Sequence, residues 1–380
     1  MVSNKGQWIV PRAEGYSTNK KLRNKIISGI ENVMFNPYVP GNAEFKPLET
    51  EFASAIGMNH AIAVQSATAG LILSLRACNV GLGDEVITVG NSDISTTAAI
   101  SIVGATIVLV DILENDYTID VEKVESAITE RTKVIIPVDL YGHPSDCIAL
   151  RRIADDRGLM IVEDAALAIG AKYDNHHVGY YADLTTVSLA AAKPLSSSGN
   201  AGMVFTNNYE LAEKVSLFRG YGREFDDNRN PPLSYEHVVE GFNLPMDPLQ
   251  AVIVRSKLPY LEEWTEKRRM IASKYCDALC NKDVKLPSFS DYANPSFSSY
   301  VILITNRDEL NVEMRKRGIE TGTHYVPAMH KQEVYKSHLI GRSNLPVTER
   351  IADQLLALPI HPEMSKKQID FVLTALKELL

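Results

Sequence analysis

The sequence lacks the features that mark membrane, secreted and nucleic-acid-binding proteins. No apolar run approaches the ~20 residues that a membrane-spanning helix needs, and residues 1–15 contain no long apolar core of the kind that signal peptides carry. The net charge is −8, whereas nucleic-acid binding needs a basic face. We therefore expect a cytoplasmic protein that binds neither nucleic acid nor membrane.

Cysteine is also scarce, because the 380-residue chain contains only Cys78, Cys147, Cys276 and Cys280. The last two are close in sequence, but their four-residue spacing falls in a helical pattern and no second pair accompanies them. Disulfide frameworks and metal centres need a denser pattern. We expect reduced, mostly packed thiols and no metal site.

The chain does contain short apolar runs that alternate with helical patterns over its first two-thirds. Most of the runs are rich in Val and Ile, as in strands that are covered on both faces. The predicted strands lie at residues 61–66, 84–89, 106–112, 133–140, 160–165, 184–190 and 202–207, and helices are predicted between them at 67–78, 121–130, 147–158 and 209–219. This alternation predicts an α/β domain around a mostly parallel, seven-stranded sheet.

The last third of the chain predicts a smaller α/β domain. Residues 221–243 are polar and contain proline, which indicates a long loop, and such loops are often functional. A long amphipathic helix over 248–281 would then lead into a strand at 299–306 and a closing helix at 366–380. We place the large domain at residues 1–250 and the small C-terminal domain, with the long helix, at 251–380.

One lysine stands in the otherwise uncharged stretch VSLAAAKPLSSSGNAGMVFTNN, residues 187–208. Lys193 follows an apolar strand, and Asp164 ends the strand before it, so both should lie at the sheet edge where α/β proteins build sites. Pyridoxal phosphate needs such a pair, because an amine forms its Schiff base and a carboxylate keeps its ring nitrogen protonated. An alternative for Asp164 alone is a helix cap or a hydrogen-bonded structural acid.

A phosphate site is predicted at QSATAGLILSL, which follows the first strand and opens a helix. Residues 66–69 would present hydroxyls and backbone N–H groups at a helix N-terminus, where an anion is favoured. Ser188, five residues before Lys193, adds a hydroxyl. Small residues at a helix start are common, so this segment is weak evidence by itself.

Eight motifs in order give the chain its resemblance to the DegT-like family of pyridoxal-phosphate sugar aminotransferases, which have the aspartate-aminotransferase (type I) fold. The motifs cover nearly the whole chain: LETEFASAIG, SATAGL, VDLYGHPSD, VEDAA with SLAAAK, RGYGR, GFNLPMDPLQAVI, GIETGTHYVPAMHKQ and LPVTERIADQLLALPIHPEM. The resemblance implies pyridoxal 5'-phosphate as cofactor, converted to pyridoxamine 5'-phosphate in turnover, and a homodimer with shared active sites.

The resemblance also implies roles for individual residues. Lys193 would form the Schiff base and move the proton, and Asp164 would pair with the ring nitrogen. The implied phosphate ligands are Ala67, Thr68, Ser188 and, from the neighbouring subunit, Asn243. The implied substrate residues are His324, Tyr325 and His330, which alternatively only pack the small domain.

Three positions depart from the family pattern, and all three would lie near the cofactor. Asp93 stands where the family has an aromatic residue that stacks on the ring, and Leu167 stands where it has glutamine. The segment GNAG, residues 199–202, replaces Gly-Glu-Gly-Gly. Lys193 itself argues against the related sugar 3-dehydratases, which carry histidine there.

The leading interpretation is an aminotransferase that moves an amino group from glutamate or glutamine to a keto-sugar, either nucleotide-linked or a precursor of an antibiotic or polysaccharide. The three departures keep open a lyase, dehydratase or oxidase that uses the same cofactor on the same scaffold. A non-catalytic binding or regulatory protein is the third interpretation. Retention of Lys193 and Asp164 weighs against it, since binding alone requires no imine.

Overall fold

The computed structural model describes residues 8–36, 45–223, 236–335 and 344–380. Its strands are β1 His60–Val64, β2 Glu85–Val89, β3 Thr106–Val110, β4 Thr132–Ile135, β5 Met160–Asp164, β6 Lys172–Tyr173, β7 His176–His177, β8 Leu184–Ser188, β9 Gly202–Thr206, β10 Ala293–Asn294, β11 Tyr300–Leu303 and β12 Leu355–Leu358. Its α-helices are α1 Tyr16–Lys21, α2 Arg23–Phe35, α3 Phe45–Ile56, α4 Ala67–Ala77, α5 Ile94–Ile102, α6 Val121–Ala127, α7 Cys147–Arg157, α8 Tyr209–Arg219, α9 Pro248–Lys257, α10 Leu261–Leu279, α11 Arg307–Lys316, α12 Pro346–Gln354 and α13 Lys366–Leu379.

A seven-stranded sheet forms the centre of the molecule, in the order β1-β9-β8-β5-β4-β2-β3. Strand β9 runs antiparallel to both of its neighbours, and the other neighbouring strands are parallel. Every residue of β2, β8 and β9 is buried, as expected when helices cover both faces of a sheet. The predicted α/β class and the mostly parallel seven-stranded sheet are confirmed.

Helix α4 lies unusually close to this sheet, and a glycine makes the approach possible. A Cβ atom on Gly70 would stand 2.7 Å from Thr186 Cγ2 and 3.0 Å from Val204 Cγ2, so a larger residue would push the helix away. Ser66 caps the helix, since its Oγ accepts a hydrogen bond from the N–H of Ala69 at 3.1 Å. The N-terminus of α4 is therefore held beside the carboxyl ends of the strands.

Two predicted elements are shorter than expected, and proline explains both. The strand predicted at 133–140 ends at Ile135, because Pro137 has no N–H to donate to a sheet, and a 3₁₀ turn follows at Leu140–Gly142. The helix predicted at 248–281 is interrupted by a 3₁₀ turn at Leu258–Tyr260, which contains Pro259. Most of the loop predicted at 221–243 lies outside the described residues.

A separate hydrophobic core lies in the C-terminal third of the chain. It joins α10, the antiparallel pair β11–β12 and α13, with Tyr275, Met314 and Leu376 almost fully buried. Val10 from the N-terminal segment also belongs to it. The boundary between residues 250 and 251 stays a prediction, which this second core supports.

None of the helices in the described ranges has the length and apolar character needed to span a bilayer.

Candidate active site

Two neighbouring strands bring the predicted catalytic pair to one edge of the sheet. Strand β5 ends at Asp164, which lies opposite Thr186 of the parallel strand β8. Strand β8 ends at Ser188, and Lys193 follows in the next loop. Residues 29 positions apart in the chain thus meet because both of their strands end at this edge.

A cavity of about 260 Å³ opens at this edge. Eight predicted site residues line it: Ala67, Thr68, Asp93, Asp164, Leu167, Ser188, Lys193 and Tyr325. Asn200, from the third departing segment, lines it as well. The structure therefore brings together most of the residues that the sequence singled out, from six separate segments of the chain.

Asp164 is buried and has two donors, and no cation of the described residues is in direct contact with it. Thr96 Oγ1 donates to Oδ2 at 2.7 Å, and the N–H of Ala166 donates to Oδ1 at 3.1 Å. Burial raises the pKa of Asp164, although these hydrogen bonds and the charge of Lys193 act in the opposite direction. A positively charged group in the cavity would favour the carboxylate form, so Asp164 is suited to face a protonated ring nitrogen.

Lys193 sits on a loop that its own backbone hydrogen bonds hold in place. The N–H of Lys193 donates to Ala190 O at 2.9 Å, and that of Ser197 donates to Leu189 O at 2.7 Å. Burial lowers the pKa of the Lys193 amine, and the nearby Asp164 carboxyl counters part of this effect. The neutral amine is the nucleophilic form, so burial prepares Lys193 to react with a carbonyl group.

The start of helix α4 forms a backbone cradle. The N–H groups of a first helical turn have no acceptor within the helix, so those of Ala67 and Thr68 are available to an anion at the cavity. A Cβ on Gly202 would stand 2.6 Å from Ser66 C and 2.8 Å from Ala67 N. Only glycine allows β9 to approach this turn, and together with Ser188 the turn could hold a phosphate.

The departing residues Asp93 and Leu167 both lie in the cavity wall. Asp93 caps helix α5, because its Oδ1 accepts hydrogen bonds from Ser95 N at 2.9 Å and Ser95 Oγ at 2.6 Å. This capping role accounts for an aspartate at a helix start. It adds a negative charge to the cavity where a stacking ring would add none.

His324 and Tyr325 approach the cavity from the C-terminal part of the chain. Tyr325 lines it, and burial raises the pKa of its hydroxyl, with Asp93 and Asp164 adding to the effect. His324 lies beside it, and burial, followed by the charge of Arg12, lowers the pKa of its imidazole to about 4. The hydroxyl of Tyr141 donates to His324 O, which ties this segment to the large sheet.

The other two predicted site residues lie elsewhere. His330 is turned away from the cavity, and its Nε2 is 2.9 Å from Glu349 Oε1. Asn243 is exposed and lines a second, open cavity of about 1260 Å³ that α3, α8 and β1 also border. Within one chain, Asn243 therefore does not meet the phosphate cradle of its own cavity.

The sequence analysis missed Thr96 and Arg12. Thr96 lies in DISTTAA, where its hydroxyl gave no distinct signal among neighbouring Ser and Thr residues. Arg12 stands in the N-terminal segment, far in sequence from every motif that predicted the site. Its charge nevertheless acts on Lys193, His324 and Tyr325.

The absence of a metal site stays a prediction. Among the described residues, Glu14, His361 and Glu363 bring possible ligand atoms within 4.8 Å of one another. They border a cavity of about 240 Å³ that Lys257 and Arg268 also line. Those two positive charges oppose a cation at this cluster.

The cavity suits pyridoxal phosphate on its own chemistry. Three groups converge on one space: a buried carboxyl with no cationic contact in the described part of the chain, an amine with a lowered pKa, and a helix turn that β9 approaches through Gly202. The fold and these groups define a pyridoxal-phosphate-dependent transferase of fold type I.

The model of the DegT/DnrJ/EryC1/StrS aminotransferase family matches residues 21–377, and the chain belongs to that family. The chain is 36% identical to the erythromycin biosynthesis sensory transduction protein EryC1 of Saccharopolyspora erythraea, over 97% of this chain and 99% of that protein. It is 35% identical to the dTDP-3-amino-3,4,6-trideoxy-alpha-D-glucose transaminase of Streptomyces venezuelae, over 97% and 96%.

Solved structures show the same fold. DesV of S. venezuelae superposes with a TM-score of 0.91 at 35% identity, covering 97% of this chain and 98% of that one. NtdA of Bacillus subtilis, solved with bound pyridoxamine phosphate, superposes with a TM-score of 0.85 at 30% identity, covering 94% and 82%. The predicted family and fold are confirmed.

Proposed function

We propose that this enzyme transfers an amino group from glutamate or glutamine to a keto-sugar. The observation that carries this function is the placement of Lys193 and Asp164 in one cavity with the N-terminal turn of α4. The S. venezuelae relative is named for a dTDP-linked amino sugar, which supports a nucleotide-linked sugar as the acceptor here. A precursor of an antibiotic or polysaccharide fits the same chemistry.

Each residue contributes a separate part of the reaction. When bound, pyridoxal phosphate supplies an aldehyde that condenses with amines and a ring that accepts an electron pair. Lys193 Nζ would hold the cofactor and, once released from it, would accept and pass on the proton from the α-carbon of the donor. Asp164 holds the proton on the ring nitrogen, and Ala67, Thr68 and Ser188 hold the phosphate.

The donor and the sugar would occupy the same space in turn. Tyr325 borders it, and His324 lies beside it as a neutral imidazole at physiological pH, because its pKa is about 4. These two residues would contact substrate. The contact of His330 with Glu349 does not support its predicted substrate role, which stays a prediction.

A homodimer with shared sites would complete the cradle. Asn243 is exposed and borders an open cavity, so a partner subunit could bring its own phosphate site against it. In such a dimer, the Asn243 side chain of one subunit would reach the phosphate that is bound by the other subunit. Four free cysteines fit the reducing cytoplasm as the compartment.

The alternative reaction is elimination or oxidation with the same cofactor. Asp93 and Leu167 favour it, since both replace family residues in the cavity wall. Both differences leave Lys193, Asp164 and the phosphate cradle in place. They affect which bond of the substrate is broken and which amino donor fits the cavity.

The amino donor alone separates the two reactions. In a transaminase, millimolar L-glutamate or L-glutamine should bleach the yellow holoenzyme completely without any sugar, leaving pyridoxamine phosphate and a keto acid. Colour should return when the correct keto-sugar is added. If neither donor, nor alanine or aspartate, changes the spectrum while a sugar alone does, transamination is wrong and the alternative stands.

A further inference from the structure

The backbone of Arg12, in the N-terminal segment, is fixed against the hydrophobic core of the C-terminal third of the chain. Its N–H donates to Glu320 Oε2 at 2.8 Å, and its carbonyl accepts from the N–H of Ile360 at 3.4 Å. Two residues earlier, Val10 forms a parallel bridge with Ile319. The Cα atom of Arg12, from which the side chain extends, is therefore held in a defined position.

The Arg12 side chain lies next to His324. A Cβ on Gly322 would stand 2.6 Å from His324 Cε1 and 3.2 Å from Arg12 Cδ, so both side chains cover this glycine. Apart from burial, the charge of Arg12 is the largest influence that lowers the pKa of His324. It also lowers the pKa of Lys193, after the larger effect of burial. Arg12 therefore lies beside the segment whose Tyr325 lines the cavity with the reactive amine.

Within the described residues, neither the Arg12 guanidinium nor His324 Nδ1 has a protein partner. Among the residues that the structure describes, no carboxylate forms an ion pair with the Arg12 guanidinium, whose residue makes its hydrogen bonds through the backbone. His324 Nδ1 is buried and has no hydrogen-bond partner. Buried or half-buried polar groups without partners indicate an unseen ligand or water.

We propose that Arg12 is the binding site for the α-carboxylate of the amino donor, with His324 beside it. This inference rests on the proposed function. The guanidinium group of arginine is planar, and its forked N–H donors match the two oxygen atoms of a carboxylate. Among the described residues that line the cavity, Lys193 is the one cationic side chain, and its amine must stay free to react.

The geometry favours the donor carboxylate over a phosphate of the sugar. The α-carboxylate is one bond from the carbon that loses its proton, so its partner must lie close to Lys193. Arg12 suits this condition because it lies beside His324, and the next residue, Tyr325, lines the cavity with Lys193. The phosphates of a nucleotide-linked sugar are several bonds away from the reacting carbonyl and would extend outward from the cavity.

The first experiment measures binding without turnover. L-2-Hydroxyglutarate has the donor carboxylates but no amine, so it can bind to the holoenzyme without reacting. Calorimetry should show about 10- to 100-fold weaker binding to Arg12→Gln than to the wild type, the range for a hydrogen bond to a charged group. Arg12→Lys should lie between them, and Lys20→Gln, which removes an exposed cation of α1, should bind like the wild type.

The second experiment uses the bleaching reaction. Arg12→Gln should raise the KM for L-glutamate by about 10- to 100-fold while its reaction with butylamine, which has no carboxylate, stays unchanged. Equal slowing of both amines, or unchanged binding of 2-hydroxyglutarate, overturns the proposal. The proposal is also overturned if the one effect of Arg12→Gln is weaker inhibition by inorganic pyrophosphate. If 2-hydroxyglutarate binds through Arg12 but glutamate never bleaches the wild type, the proposed function fails and the carboxylate site stands.

Discussion

The hydroxyl of Thr96 donates to Asp164 Oδ2 over 2.7 Å, although 68 residues separate the two. Thr96 lies in helix α5, and its Oγ1 is also 2.7 Å from Ser92 Oγ. The helix that follows β2 therefore orients the carboxylate that ends β5. Together with the N–H of Ala166, which donates to Oδ1, this contact fixes the orientation of the carboxylate in the cavity.

Replacing Thr96 with valine should weaken catalysis through Asp164. The lost hydrogen bond normally lowers the pKa of Asp164, so that pKa should rise and the acidic limb of the pH–rate profile should move to higher pH. A bond of this kind to a charged group is worth about 1.5–3 kcal/mol, so kcat should fall by about tenfold or more. Thr96→Ser should restore both quantities, and Asp164→Asn should lose more activity than Thr96→Val. An unchanged pH profile in Thr96→Val would contradict this role.

Lys193 should be the lysine that holds the cofactor. Borohydride reduction of the holoenzyme followed by peptide mapping should place the pyridoxyl group on Lys193, because it is the lysine that lines the cavity with Asp164. Lys193→Ala should still bind the cofactor through its phosphate but lose turnover. A label on Lys257, which lies behind the same loop, would refute the assignment.

Mixed dimers should reveal shared active sites. If Asn243 acts on the partner subunit, a heterodimer of Lys193→Ala and Asn243→Ala subunits has one site with both defects and one with neither. Mixing the two variants under subunit exchange should therefore raise activity above either parent, provided that Asn243→Ala alone is impaired. A fully active monomer in sedimentation at assay concentration would exclude the shared site.

Lys257 should make stability depend on pH. It is 1% exposed, and its Nζ donates to Ser196 O at 2.6 Å, on the loop that carries Lys193. Burial lowers its pKa to about 8, against about 10.4 in an unfolded chain. Between these values the unfolded state binds more protons, so the contribution of Lys257 to stability rises with pH and is lost as pH falls through 8.

The test compares the wild type with Lys257→Met. The free energy of unfolding of the wild type, relative to this variant, should increase from pH 7.5 to pH 10. The same comparison with Lys123→Met, at an exposed position of α6, should be flat. A flat difference for Lys257→Met would show that this lysine does not titrate in the folded protein near pH 8.

Much of the fold follows from local features of the chain. Apolar runs of six to eight residues, separated by helical patterns, predict the seven strands, because strands that are covered on both faces are nearly continuous in apolar residues. The same pattern places Asp164 and Lys193 after neighbouring strands. Pro137 and Pro259 mark the ends of elements that a hydrophobic pattern alone extends too far.

Only the tertiary structure decided which side chains meet at the site. Thr96 is the partner of Asp164, and His330 turns toward Glu349; neither contact has a local sequence signal. Arg12 lies beside His324 because Val10 pairs with Ile319, more than three hundred residues away. Sequence periodicity determines which face of an element is buried, but contacts between distant segments depend on how the completed elements pack.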